Sequence, residues 1–439
     1  MHKLRMQDGL RSLKRMGETA VVSAKAGIKY AQAKQQNRPM TAQILRETFE
    51  ELGATYIKLG QFIASTPSLF PREYVEEFQQ CLDQTPAVPF SYIQQVLAAE
   101  FAGQNVYDLF AWIDETPLAS ASIAQVHAAR LVTGEDVVIK VQKPNVDTIL
   151  HTDLNVVHWV SKAVEKIMPK IKFASLSEIT AEIRHRMVKE IDFYAEAQNI
   201  DDFTQYLQHT GNTLAVAPKV YHQHTTQRVL TMQRFYGQPL TDMTSIKYAV
   251  NDPSQVLIAI MNTWFGSLTH CKSFHADLHA GNVLLLRDGR IGFIDFGIVG
   301  QLKPDVWAAS LAFMDALQDL DYDAMATHMA KMGMTHQQVN IAQLSYDLQR
   351  IFSMALDTDP HQILTSSPSD LNAVMLDLVA VGERHGIKFP RDFALLLKQM
   401  LYFDRFMRVL APYTDIYADQ RLKMVQDDFT PRLNMEHTS

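Results

Sequence analysis

One stretch limits the fold of this 439-residue chain more than any other. It reads His275-Ala276-Asp277-Leu278-His279-Ala280-Gly281-Asn282, and a compact β pattern starts where it ends. The runs Asn282–Leu286 and Arg290–Phe296 are joined through Asp288-Gly289, a pair that favours a tight hairpin turn. The second run leads into Asp295-Phe296-Gly297, with Asp295 18 residues after Asp277. Alone, an Asp-Phe-Gly is a common turn and a His-x-Asp is a satisfied loop pair. In this order, bridged by a short hairpin, two carboxylates and a carboxamide are hard to explain by structural needs alone.

Phosphoryl transfer needs this arrangement. Asp277 would orient or deprotonate the attacking group, while Asn282 and Asp295 are hard oxygen ligands for Mg²⁺ on nucleotide phosphates. Gly297 is expected to let the backbone turn sharply beside the metal. A lysine on a strand must then come upstream. Val137-Val138-Ile139-Lys140-Val141 supplies it, and an unpaired ammonium inside such an apolar strand would be costly. A phosphate and a carboxylate would relieve that cost. The candidate carboxylates lie around residues 178–199, with Glu196 first and Glu190 and Asp192 as rivals. Taken alone, Lys140 would read as an edge-strand lysine pointing to solvent.

Two departures narrow the chemistry. The turn before that strand is Leu118-Ala119-Ser120-Ala121-Ser122-Ile123-Ala124-Gln125-Val126, without a glycine. Backbone N–H groups can still cradle phosphate and serine hydroxyls add donors, but Ala and Ser are stiffer than Gly. A nucleotide held here is expected in an altered pose, at a cost to protein-kinase activity. After Asp295 the chain runs through Gly297–Pro304 straight into an apolar helix, Trp307–Leu317, with no long activation segment and no Ala-Pro-Glu. The platform that docks a protein substrate is missing. Small-molecule phosphotransfer, ATP hydrolysis and nucleotide-gated conformational work remain.

The rest of the chain divides by period. Residues 1–40 read as a basic amphipathic helical segment in which Leu10, Leu13, Ala20, Val21, Ala24, Ile28 and Ala31 recur at near-helical spacing. Residues 41–115 read as helical. Thr41 can cap a helix running to Phe62, and Pro67, Pro71, Pro86 and Pro89 cut the next stretch into short pieces. Residues 42–64 are apolar around much of their circumference, so another element is expected to cover them. After Pro117 the period changes to strands at Ser122–Val132 and Val137–Val141, separated by a turn at Thr133–Asp136. Asp153–Asn199 returns to helix, Val216–Val229 and Leu230–Phe235 read as strands, and Gly237 is a joint before a mostly helical remainder. Strands first and helices later imply an α+β chain with lobes 116–235 and 236–439.

Composition sets outer bounds. The chain is 47% hydrophobic and 20% charged, which excludes wholesale disorder. At ~150 residues per domain its length allows about three units. No apolar run approaches the ~18 residues of a spanning helix. Val256–Leu268 is broken by Asn262 and Thr263, and Leu395–Phe403 by Lys398 and Gln399. Cys81 and Cys271 are far apart and in no ligand spacing, so they read as buried small hydrophobes in a reducing compartment. The net charge of −7 argues against nucleic acid as a partner. That charge is uneven: residues 1–40 hold nine basic and two acidic residues, a local +7 against −14 for the remainder. The segment has no continuous apolar core and is no Sec signal, although a mitochondrial presequence is possible in principle. It either packs on the body as a solvated helix or attaches to an anionic membrane surface.

These residues resemble the UbiB-type atypical kinases, the AarF/UbiB protein-kinase-like family. The most specific mark is Lys58-Leu59-Gly60-Gln61, the family's K-x-G-Q signature. The alanine-rich loop at Ala119–Ser122 with Gln125-Val126-His127, Val138–Pro144, Glu190-Ile191-Asp192, His275–Asn282 and Asp295–Gly297 complete the set. The resemblance implies a protein-kinase-like two-lobed fold whose N-terminal helical extension folds over the nucleotide cleft. Lys58, Gln61, Glu190 and Asp192 would be its gating residues, and Lys140 with Glu196 the phosphate clamp. It further implies ATP and Mg²⁺ as cofactors, ATPase or unorthodox kinase activity in support of ubiquinone biosynthesis, and a quinone precursor or other lipid-like small molecule as partner. The expected location is cytoplasmic, peripheral on the inner (plasma) membrane. The chain departs from the family at Leu278 and Ala280, where Pro is usual, and at Gln233, a hinge position that is often acidic. Its polar end, Asp427–Ser439, lacks the spanning helices of the ubiquinone-operon type and suggests a paralogue. Two other readings compete: a soluble small-molecule kinase of the aminoglycoside or choline type, and a nucleotide-binding pseudokinase scaffold.

Overall fold

The structure, a computed structural model, describes residues 2–35, 41–64, 72–78, 86–167, 184, 187–188, 191–242, 245–246, 250, 252–335, 338–356, 368–389, 391–411, 419 and 421–422. The chain opens with helices α1 (His2–Gln35), α2 (Thr41–Leu52), α3 (Ala54–Ala64) and α4 (Arg72–Phe78). Helix α5 (Phe90–Glu100) and the single turn α6 (Val106–Leu109) lead into strands β1 (Phe110–Ser120), β2 (Ala124–Leu131) and β3 (Asp136–Gln142). Helices α7 (Val146–Ile167) and α8 (Phe193–His209) precede the short strand β4 (Ala215–Val216), then β5 (Val229–Gln233) and β6 (Gly237–Pro239). Next come α9 (Pro253–His270), β7 (Phe274–His275), β8 (Val283–Leu286), β9 (Ile291–Phe293) and β10 (Val299–Gly300). The remainder is α10 (Pro304–Gln318), α11 (Tyr322–Met332), β11 (Met334–Thr335), α12 (Ile341–Leu356), α13 (Pro368–Arg384), β12 (Ile387–Lys388) and α14 (Arg391–Leu410). The backbone forms two compact units, Met1–Gln198 with Lys219–Arg234 and Asn199–Pro218 with Phe235–Ser439.

The first unit is built on an antiparallel sheet in the order β1-β2-β3-β5. Side chains alternate along β3, so Val137, Ile139 and Val141 are fully buried while Val138 and Lys140 lie on the other face. The buried face packs on Ile93, Val96 and Leu97 of α5, with Phe110, Ile113 and Val229 closing the layer. Each such side chain contributes roughly 1.5–3 kcal/mol by leaving water. The β2–β3 turn is the expected one, with Gly134 at φ +102° and its N–H on the Leu131 carbonyl.

Three expectations are corrected in this unit. The helix expected from Thr41 to Phe62 is two helices, because Gly53 takes a left-handed φ of +90° and closes α2 through the Phe49 and Glu50 carbonyls. The apolar side of these helices is covered by α4, where Phe78 meets Phe49 and packs on Ile57 and Ile63. A strand, β1, occupies Phe110–Ser120, inside and just beyond the stretch read as helical. Irregularities in its pairing near Trp112, Pro117 and Ala119 break the alternation by which a strand is recognised. Last, no strand runs from Val216 to Val229. Pro218 removes a ladder donor, and His222–His224 forms a 3₁₀ turn.

The second unit has a small sheet in the order β4-β9-β8-β6, with β4 parallel to β9. The expected hairpin at Asp288-Gly289 is the β8–β9 turn, Gly289 standing at φ +84°. A two-stranded ribbon pairs His275 of β7 with Val299 of β10. A separate core joins α10, α11, α12 and α13 through Met325, Met329, Leu344, Leu348 and Phe352. The apolar helix expected at Trp307–Leu317 is α10, entered through Pro304 at its first position. Cys271 is buried as expected and Cys81 lies outside the described residues. No helix among the described residues is long and apolar enough to cross a membrane.

Candidate functional site

The first unit holds the lysine and its carboxylate. Lys140 stands on the β3 face away from α5, opposite Val126 of β2 and Leu230 of β5. Its Nζ donates to both carboxylate oxygens of Glu196, at 2.8 and 3.0 Å. The Glu196 side chain is 3% exposed and that of Lys140 12%. Glu196 sits in the first turn of α8, where the helix dipole favours negative charge. The Phe193 ring lies 5.6 Å from the ammonium. Of the three candidate carboxylates the structure thus pairs Glu196 with Lys140. Asp192 starts α8, its side chain accepting from the Tyr194 N–H at 3.1 Å. Glu190 lies outside the described residues.

The alanine-rich turn directly precedes β2. Leu118 and Ala119 are exposed, Ser120, Ala121 and Val126 half-buried, and Ser122, Ile123, Ala124 and Gln125 buried. Among the described residues the hydroxyls of Ser120 and Ser122 are buried without a hydrogen-bond partner. Ser122 as a whole is 3% exposed. An orphaned buried hydroxyl costs about 1–3 kcal/mol, and a phosphate oxygen would remove that cost. Gln125 belongs to the scaffold. Its carboxamide accepts from the Val88 N–H and donates to the Val88 carbonyl at 3.4 Å. Lys143, buried just past the end of the neighbouring strand β3, donates to the Pro86 carbonyl at 3.2 Å and through its N–H to the Ile123 carbonyl at 2.8 Å. Gln142 donates to the Ile191 carbonyl at the entrance of α8. His127 completes this buried row, donating Nδ1–H to the Asp114 carbonyl at 2.8 Å and presenting Nε2 to Gln125 at 3.3 Å. Burial lowers its pKa and keeps it neutral, as that pairing requires.

The second unit holds the acidic loop. His275 is buried, and desolvation lowers its pKa. Its Nδ1 accepts from the Asp277 N–H at 3.2 Å and its Nε2–H donates to the Ile294 carbonyl at 3.1 Å, a tautomer assigned from these partners. Trp264 of α9 donates its indole N–H to the His275 carbonyl at 2.8 Å. Asn282 donates through Nδ2 to the Asp277 carbonyl at 3.0 Å, which turns its Oδ1 the other way as a hard oxygen donor. The Ile294 N–H in turn meets the Asn282 carbonyl at 3.0 Å. The left-handed conformation expected of Gly297 falls on Asp295, at φ 59°. Such a conformation in a non-glycine residue is uncommon and tends to sit where function over-determines it. Phe296 anchors the turn, packing on His275 and Phe203 with ring centroids 4.9 and 5.1 Å away. Mg²⁺ takes oxygen ligands from one or two protein side chains together with phosphates and water. Asn282 and Asp295 fit that pattern.

One residue with a clear part here was not foreseen. Gln399 of α14 is fully buried and brackets Leu278, the residue after Asp277. Its Oε1 accepts from the Leu278 N–H at 2.9 Å and its Nε2 donates to the Leu278 carbonyl at 3.4 Å. The only sequence signal was a lone carboxamide inside the apolar run Leu395–Phe403. Of the extension's residues, Lys58 and Gln61 both lie half-buried on α3 in the first unit.

Comparison with known proteins gives a consistent picture. The family model described as "ABC1 atypical kinase-like domain" matches residues 80–329. An "uncharacterized aarF domain-containing protein kinase", chloroplastic, of Arabidopsis thaliana is 47% identical over 405 residues, covering 88% of this chain and 75% of that one. A protein of Xanthomonas campestris named "Probable protein kinase UbiB" is 30% identical over 404 residues, 88% of this chain and 71% of its own. The solved complex of Rv3197 with erythromycin, from Mycobacterium tuberculosis, shares the fold with a TM-score of 0.51 at 22% identity, covering 89% of this chain and 98% of that one.

Proposed function

Because this chain belongs to the ABC1 atypical kinase-like family, we propose that it binds MgATP and either hydrolyses it or passes its phosphoryl group to a small, lipid-like acceptor in support of ubiquinone biosynthesis. The observation that carries the reading is the buried Lys140–Glu196 pair on β3, in the same sheet as β2, whose preceding turn holds two serine hydroxyls without a partner among the described residues. A positioned ammonium attracts phosphate oxygens, and the two hydroxyls supply neutral donors. Asn282 and Asp295 would hold Mg²⁺, which when bound neutralises charge on the phosphate oxygens. Asp277 orients or deprotonates the attacking hydroxyl or water, its main chain fixed on both sides by His275 and Asn282. The glycine-free turn and the absence from the sequence of an Ala-Pro-Glu platform favour a small acceptor over a peptide.

The test is ATP turnover with and without anionic liposomes, comparing wild type with Asp277→Asn. We expect the variant to lose about 10²–10⁴-fold in turnover, the usual weight of a positioned acid–base group. Its thermal stabilisation by MgATP should persist. Equal turnover in the two proteins, or intact complementation of a quinone-deficient strain by Asp277→Asn, would remove the catalytic reading. A phenolic or polyprenyl lipid should add to the MgATP stabilisation, whereas a response to an aminoglycoside or choline instead would reassign the acceptor.

A further inference from the structure

Asn199 places a carboxamide beside the apolar stripe on which α8 buries Ile200 and Phe203. It is the first α8 residue of the second unit and is half-buried. Its Nδ2–H donates to the Phe296 carbonyl at 3.0 Å, and that acceptor fixes which end of the amide is nitrogen. One turn on, Phe203 packs on the ring of the same residue, with centroids 5.1 Å apart. Side chains four positions apart share a helix face, so α8 holds Phe296 at two points, ring and main chain.

The ring needs no help from the amide. It is buried, and His275 also packs on it, with centroids 4.9 Å apart. What the Asn199 bond fixes is the plane of the peptide between Phe296 and Gly297. The N–H of that same peptide faces Oδ1 of Asp295 at 3.4 Å. The carbonyl and N–H of a trans peptide lie in one plane and point opposite ways, so a turn of the carbonyl takes the N–H off the carboxylate. Upstream of Asp295, the Ile294 N–H meets the Asn282 carbonyl at 3.0 Å and the Ile294 carbonyl accepts from His275 Nε2–H at 3.1 Å. Asn199 is the downstream counterpart of those two bonds. Asp295 stands at φ 59°, a backbone conformation that persists where its surroundings over-determine it.

We propose that Asn199 is a positioning residue for the divalent cation that accompanies the nucleotide. By holding the Phe296–Gly297 peptide it sets the direction of the Asp295 carboxylate, and through it the affinity of that carboxylate for the metal. The inference rests on the MgATP reading above. Groups that orient a metal ligand without touching the metal typically weigh about 10–100-fold in metal affinity. An amide that served only to satisfy a half-buried carbonyl would, on its loss, change stability and leave the metal requirement alone.

The test uses the full chain and the fluorescent nucleotide mant-ATP, in EDTA or with increasing Mg²⁺, and reads binding rather than turnover. In Asn199→Leu, binding in EDTA should equal that of wild type, while the Mg²⁺ concentration for half-maximal enhancement of binding rises about tenfold or more. Asn199→His, which returns an N–H at the same distance along the side chain, should recover much of that loss. Asn199→Ala carries the same prediction as the leucine variant should the latter fail to fold. Tyr206→Phe is the comparator. It removes another bond of α8, from the Tyr206 hydroxyl to the Thr263 carbonyl at 2.7 Å, and should lower the melting temperature at an unchanged Mg²⁺ requirement. Wild-type binding that Mg²⁺ leaves unaltered, an unchanged requirement in the leucine and alanine variants, or a rise that Tyr206→Phe shares in proportion to its lost stability would each overturn the proposal. No binding of mant-ATP by wild type under any condition would remove the nucleotide reading itself, and this proposal with it.

Discussion

A lysine on a buried strand is stable only with a partner, and the chain provides one at 2.8 Å in Glu196. Glu196→Gln would remove the carboxylate charge 2.8 Å from the ammonium, a change that costs about 3–5 kcal/mol at buried pairs. We expect a clear fall in melting temperature and at least about tenfold weaker MgATP binding, the latter by analogy with charge-assisted bonds worth ~1.5–3 kcal/mol. Adding Lys140→Met should restore much of the stability, because both charges are then gone, but none of the nucleotide binding. Recovery of both would make the pair purely structural, and thermal melts with and without MgATP separate the outcomes. Ser120 and Ser122 make the complementary point. Their sequence pattern pointed to a phosphate turn, yet only packing could leave both hydroxyls buried and unanswered.

Elements decide how rigidly such residues are presented. The acidic loop hangs between the β7–β10 ribbon and the β8–β9 hairpin, and α9 and α14 hold its main chain through Trp264 and Gln399. The two helices also meet through Trp264 and Phe403, whose ring centroids are 5.0 Å apart. Gln399→Leu would strip the Leu278 N–H and carbonyl of their buried partners, costing about 1–3 kcal/mol. We expect ATP turnover to fall while stabilisation by MgATP remains, and Gln399→Asn, one methylene shorter, to recover little. Loss of both turnover and nucleotide binding in step with the melting temperature would mean a structural role only. The hairpin was legible because Asp288-Gly289 sits between two apolar runs. Strand β1 was not, because its pairing irregularities mask its alternation, and neither was the split of α2 from α3, which depends on one left-handed glycine.

At the scale of the whole molecule, the uneven charge of the chain acquires a physical meaning. Helix α1 meets carboxylates of its own unit, Lys25 and Lys29 pairing with Glu51 and Glu47 of α2 and Arg15 with Asp153 of α7, a carboxylate with no solvent exposure. Asp153→Asn keeps the shape but removes the buried counter-charge of the guanidinium, leaving it the exposed Glu18 at 3.6 Å, which should loosen α1. Trypsin should then cut within residues 1–35 several-fold faster than in wild type, on the order expected for the loss of about 1 kcal/mol or more of local stability. Unchanged cleavage would show that the Arg15–Asp153 pair does not hold α1 in place. By itself, the sequence determined the candidate chemistry. What it determined are the candidate residues at set spacings, Lys140, Asp277, Asn282 and Asp295, and the periods that separate strand from helix, because both depend on neighbours along the chain. The tertiary structure alone decided which carboxylate meets Lys140 and which distant amide holds Leu278. Those outcomes are set by packing between segments remote in sequence, and no local pattern encodes them.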